Sequence, residues 1–182
     1  MPTSRFCLGA IPVLVSVSAC PAQASEKDWD TASTVAVTGL TLIAIGAPII
    51  ENDDPGLYQA GGSILAAGVM TQGLKRVFPE IRPDKSNNDS FPSGHTAQAF
   101  AAATTIYRRQ GRSAGIPAFI VAGFVGTARI KARKHYWYDV LAGAAIGTGT
   151  GVLLTNLPPD QRIAYIPWGD SHGGGISVAM RF

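Results

Sequence analysis

Cysteine is nearly absent. The chain of 182 residues holds two, Cys7 and Cys20, and both lie near its start. If an export signal is removed after Ala24, no thiol remains to form an internal disulfide, ligate a metal or act as a nucleophile. Charge is scarce as well. Charged residues make up 15% of the chain, against a usual ~25% in soluble domains. The net charge of +3 is too small to imply nucleic acid as a partner. With 46% hydrophobic residues the chain is far too apolar to be disordered. No internal repeat, cofactor-binding motif or carboxylate-rich metal cluster is found, so no cofactor and no metal is expected. A chain of this length is read as one domain.

What the sequence has is apolar length. Residues 1–24 read as an export signal or an N-terminal anchor. Arg5 supplies the positive start, 6–19 form an uncharged apolar core, and Ala22-Gln23-Ala24 offers a small-x-small cleavage site. Val17-Ser18-Ala19-Cys20 also resembles a lipidation site. Cleavage, retention and lipidation all fit this segment.

Five apolar stretches follow, at about 33–50, 57–74, 94–107, 114–130 and 138–157. They are too long for strands and lack strict alternation, so they are predicted as helices. The turns ENDDPG at 51–56 and RRQGR at 108–112 separate two of the pairs, and Pro158-Pro159 stops the last. Gly143, Gly147 and Gly151 recur every four residues, which predicts one helix face in close contact with a neighbour. The first, second and fifth stretches reach the ~17–25 residues a membrane span needs. The fold expected is an all-α bundle of five to six helices, membrane-spanning, occupying 25–159. The Gly-rich segment 160–182 is expected to be a short irregular or β-like tail, with His172 an ordinary surface residue.

Three short clusters carry the chemistry. The first is Lys75, six residues, then Arg82-Pro83. The second is Pro92-Ser93-Gly94-His95. The third is Arg129, five residues, His135, three residues, Asp139. Ser93-Gly94 opens an apolar helix, whose first N–H groups have no internal partner and form a ready anion site. Ser93 also suits a plain N-cap. His135 and Asp139 are four apart, so they share a face if the fifth helix begins early enough. Asp139 can then hold the imidazole, or merely favour the helix N-terminus. Lys75, Arg76, Arg82, Lys85, Arg129, Lys131, Arg133 and Lys134 crowd into two short windows. Helices three and four form a hairpin, so Arg82, His95, Arg129 and His135 can meet at one end of the bundle. No packing need explains so many cations side by side; a dianionic ligand does.

These clusters, in this order and spacing, resemble the signature of the type-2 phosphatidic acid phosphatase superfamily. That group includes lipid phosphate phosphatases, bacterial class A acid phosphatases and vanadate haloperoxidases. The resemblance covers about 57–157. One departure stands at Ala128, where the family usually has Ser. The resemblance implies that His135 attacks phosphorus and becomes phosphohistidine, that Asp139 orients it, and that His95 protonates the leaving oxygen. It implies phosphate binding by Lys75, Arg82, Ser93, Gly94 and Arg129, with no metal. The substrate is then a phosphorylated lipid at a bacterial inner membrane, with the site facing the periplasm. The alternative is a small phosphomonoester in a soluble periplasmic enzyme. A vanadate-dependent haloperoxidase is a further relative of the same site.

Overall fold

A computed structural model describes residues 24–156, 163–170 and 173–180. The export signal expected over 1–24 therefore lies almost wholly outside the described residues, as do Pro158, Pro159 and His172. Five helices run in order: α1 Glu26–Ile50, α2 Asp54–Val77, α3 Gly94–Gln110, α4 Arg112–Lys131 and α5 Trp137–Leu154. Two strands follow, β1 Ile163–Asp170 and β2 Gly173–Met180, paired antiparallel from Ile163 opposite Met180 to Asp170 opposite Gly173. The helical bundle is the expected architecture, and the tail takes its β form.

Four of the five helices reach further than their apolar runs, while α5 stops at Leu154, short of 157. α1 starts seven residues earlier than hydropathy alone predicts, at Glu26 rather than 33. Its start is set by a capping box. Asp28 N–H donates to Ser25 Oγ at 3.2 Å, and Ser25 N–H donates to Asp28 Oδ2 at 2.8 Å. That reciprocal pair satisfies donors the helix cannot. α2 starts at Asp54 because Asp53 caps it, accepting from Gly56 N–H at 3.1 Å. α3 ends at Gly111, whose φ of 82° and ψ of −171° lie in a region open essentially to glycine alone.

α3 is the central helix, and α1, α2, α4 and α5 all pack on it. Its interior positions are small: Ala97, Ala99, Ala101, Ala102 and Ala103 are all fully enclosed. α5 approaches most closely. A Cβ added at Gly143 would sit 2.5 Å from the Ser93 carbonyl oxygen, and one at Gly147 would sit 2.1 Å from the Ala97 carbonyl oxygen. The glycine stripe therefore sets the distance between α3 and α5, as its spacing predicts.

Among the described helices, α1 and α4 are long and apolar enough to cross a membrane. This agrees with the assignment of the first stretch, corrects that of the second and fifth, and adds the fourth. α2 and α5 are long, but Gly, Ser, Thr and Gln in α2, and Gly, Thr and Asp139 in α5, dilute their hydropathy. Large apolar side chains point outward along the bundle, including Leu42, Leu65, Ile120 and Leu141. The end away from the candidate site is stapled by polar contacts. Arg109 pairs with Asp53, and Arg108 Nε donates to the Thr155 carbonyl at 2.7 Å.

Candidate active site

α1, α3 and α5 begin, and α2 and α4 end, at the same end of the bundle. Two loops connect there: 78–93 between α2 and α3, and 132–136 between α4 and α5. They are tied together. Asp84 N–H donates to the Arg133 carbonyl at 3.0 Å, and Lys134 Nζ lies 2.6 Å from Asp84 Oδ2. Burial pushes the Asp84 carboxyl up, but hydrogen bonds from Lys134 and Ser86 outweigh it and hold the group below the usual carboxylate range.

His135 sits in the second loop, 2% exposed. Its Nδ1 lies 2.7 Å from the Ser90 carbonyl oxygen. A carbonyl only accepts, so Nδ1 carries the proton and Nε2 keeps its lone pair. Asp139, fully buried in the first turn of α5, places Oδ2 3.6 Å from the same Nδ1. That oxygen accepts from Ser90 Oγ at 2.5 Å and from Tyr136 N–H at 2.8 Å. The carboxylate thus serves as a cap on α5 and as an anchor for the loop that touches the histidine. Ser90 was not among the residues singled out from sequence. It stands alone, three positions before Ser93, and no spacing rule marks it.

Lys75, near the end of α2, donates to the carbonyls of Asp89 at 2.6 Å and Pro92 at 2.7 Å, and lies 3.4 Å from that of Ser90. It gathers the loop that carries Ser90 and Ser93. Ser93 precedes α3 but makes no side-chain cap. Its Oγ is 2.9 Å from Thr96 Oγ1, and its N–H donates to the Asp139 carbonyl at 3.0 Å. The amides this helix terminus can turn toward an anion therefore start at Gly94.

His95, in the first turn of α3, is half-buried, with Nε2 3.4 Å from Thr34 Oγ1 of α1. Arg129, in the last turn of α4, is 3% exposed. Its Nη1 donates to Asp30 and lies 3.3 Å from Ser33 Oγ, both on α1. Arg82 is half-buried in the first loop. The Nε atoms of Arg82 and Arg129 are both buried without a protein acceptor. Ala128, the departure from the family pattern, is fully enclosed beside Arg129.

The structure therefore brings His135, Asp139, Lys75, Arg82, Ser93, Gly94, His95 and Arg129 to one end. Burial lowers the His135 pKa, and the positive charges of Arg129, Lys75 and Arg82 lower it further, against the hydrogen-bonding pull of Asp139. Burial lowers the His95 pKa to about 4, and the positive charges of Arg129, His135 and Arg82 add to the shift. An uncharged imidazole ringed by cations, with unpaired guanidinium N–H groups at the same end of the bundle, has the chemistry a nucleophile and an anion site require.

The chain is similar to several known proteins. A Lipid A 1-phosphatase from Porphyromonas gingivalis is 40% identical over 95 residues, covering 50% of this chain and 21% of that protein. A Lipid A 4'-phosphatase from Helicobacter pylori is 31% identical over 119 residues, covering 59% of this chain and 60% of that one. The chain thus spans less than two thirds of either relative. The crystal structure of LpxE from Aquifex aeolicus superposes with a TM-score of 0.60 at 24% identity, over 70% of this chain and 82% of that one, which speaks for the fold. The family model of the PAP2 superfamily matches residues 56–163, more than half of the chain and all three clusters, and the protein belongs to that superfamily.

Proposed function

We propose that this chain is a phosphohydrolase that removes phosphate from a lipid through a phosphohistidine on Nε2 of His135, without metal. The observation that carries the reading is the state of His135. Its Nδ1 is bound to a carbonyl, while buried guanidinium N–H groups at the same end of the bundle lack protein acceptors.

In the first half-reaction the Nε2 lone pair forms the P–N bond as the P–O bond to the leaving group breaks. His95, which takes up a proton when the dianionic phosphate binds and offsets the surrounding cations, gives that proton to the leaving oxygen and becomes neutral. In the second, water attacks phosphorus, His95 takes its proton, and the P–N bond breaks to release inorganic phosphate. His95 and His135 then regain their starting states. Such a transfer needs positioning and charge stabilisation above all. Arg82, Arg129 and the Gly94 amide supply both directly. Lys75, bonded to three loop carbonyls, supplies charge and holds the loop. Splitting the reaction through a covalent intermediate lowers each barrier.

The lipid part of the reading rests on two supports. The relatives are named as lipid A phosphatases. Apolar side chains also cover the outside of the helices that carry the site, which suits a bundle embedded in lipid with the site at the headgroup level. A bacterial inner membrane with the site on the periplasmic side fits Arg108, Arg109 and Arg112 at the opposite end.

The test is a panel of lipid A, phosphatidic acid, p-nitrophenyl phosphate and nucleotides with purified protein, with and without EDTA, beside His135→Ala. The expected result is preference for a lipid phosphate, full activity in EDTA, and an acid-labile phosphoprotein that His135→Ala lacks. Near wild-type turnover by His135→Ala overturns the nucleophile. Loss in EDTA that metal restores overturns the mechanism. Preference for soluble monoesters overturns the lipid substrate.

A further inference from the structure

We infer that Asp30, on the helix that precedes the family-matched residues, is the positioning residue that aims Arg129 at the phosphoryl group. This rests on the proposed phosphatase reading and adds to it a residue that none of the three clusters contains.

The argument starts from the rotation of α1. Ser33, Val37, Leu40 and Ala44 are its buried stripe, spaced three and four apart. That stripe packs α1 against α3 and α4. The same face continued one step toward the N-terminus carries Asp30, which the packing sets against the last turn of α4, where Arg129 stands. Asp30 and Ser33 both meet Nη1 of Arg129. Asp30 is itself tied to its neighbours, since Ser33 Oγ donates to the Asp30 carbonyl at 2.7 Å and Thr34 Oγ1 does so at 3.0 Å.

The shape of the guanidinium decides what this does. It is a planar fork, and only one edge presents two parallel N–H bonds that include Nε–H: the Nε/Nη2 edge. Nη1 lies on the other side. Asp30 and Ser33 hold the group at Nη1. The orphaned atom is Nε, buried and without an acceptor. The clamp is therefore on the far side of the fork, and the bidentate edge is left for an oxyanion. A carboxylate at Nη1 also offsets one positive charge in a site crowded with cations, which lets Arg129 stay buried before substrate arrives.

A second feature points the same way. Thr34 commits its own proton to the Asp30 carbonyl, so its Oγ1 can only accept from His95 Nε2. One turn of α1 thereby touches both Arg129 and His95.

The experiment compares the full chain in detergent with Asp30→Ala and Asp30→Asn. It reads kcat and KM for p-nitrophenyl phosphate, the inhibition constant of vanadate, and Tm. Asp30→Ala is expected to raise KM and the vanadate constant in parallel by roughly 10- to 100-fold, the worth of a charge-assisted hydrogen bond, with a smaller change in kcat. Asp30→Asn keeps an oxygen for Nη1 and the same volume. It is expected to raise both constants by a smaller factor, so it decides the matter even if Asp30→Ala folds poorly. Constants at wild-type values in both variants overturn the inference and leave the phosphatase reading standing. So does tighter vanadate binding, which would make Asp30 a competitor of the anion. A wild-type protein that neither hydrolyses phosphomonoesters nor responds to vanadate overturns both.

Discussion

His135 Nδ1 lies closer to the Ser90 carbonyl, at 2.7 Å, than to the Asp139 carboxylate, at 3.6 Å. The acid that a histidine–acid pair would place directly on the imidazole acts here mainly through the loop between them. Ser90 touches both partners, one through its backbone and one through its hydroxyl.

Ser90→Ala is therefore expected to reduce kcat by about 10-fold or more. It removes a hydrogen bond to a buried carboxylate, worth about 1.5–3 kcal/mol, and frees the loop that fixes the histidine tautomer. KM should move less, because no phosphate contact is deleted. Steady-state kinetics check this. Equal loss in KM with kcat unchanged would show that Ser90 serves binding instead.

The pH profile follows from His135. Its burial, and the charges of Arg129, Lys75 and Arg82, favour the neutral ring. A base whose pKa is lowered stays deprotonated to lower pH, so activity should persist below the ordinary histidine value of about 6.5 before the acid limb falls. Replacing Arg82 by Ala removes a positive charge and should move that limb upward as the remaining activity is titrated. A limb that moves downward would contradict the electrostatic assignment.

Lys75→Met keeps the aliphatic stem and removes the ammonium that holds three loop carbonyls. Both effects predicted are losses: a lower Tm, and kcat/KM down by at least about 10-fold, as expected for charged hydrogen bonds. Thermal unfolding and kinetics measured on the same preparation check the pairing. A stable variant with intact kinetics would assign Lys75 to neither task.

Gly147→Ala tests the helix approach. The added methyl would meet the Ala97 carbonyl oxygen at 2.1 Å, so α3 and α5 must separate. The expected cost is ~1–3 kcal/mol of stability, seen as a fall in Tm. Because α3 carries His95 and α5 carries Asp139, activity should fall as well. An unchanged Tm would mean that the two helices are not in the close contact described.

Much was legible in the sequence because it depends on local pattern. Ser93, His95, Arg129 and His135 stand out by residue type and spacing. The glycine stripe of α5 announces a close contact, although not its partner. Helix starts were harder to read, since a capping box such as Ser25–Asp28 extends a helix beyond its apolar run. Spanning length misled in α2 and α5, where Gly and Thr lower hydropathy.

Ser90 and Asp30 were invisible for a different reason. Each matters through partners far along the chain, Ser90 through residue 139 and Asp30 through residue 129. The sequence by itself determined the inventory: which helices form, and which ionisable groups lie near their ends. Only tertiary packing decided which atoms of those groups are already committed and which remain for a ligand. Helix rotation and loop closure set donor directions within a few tenths of an ångström, and a hydrogen bond depends on that geometry, not on composition.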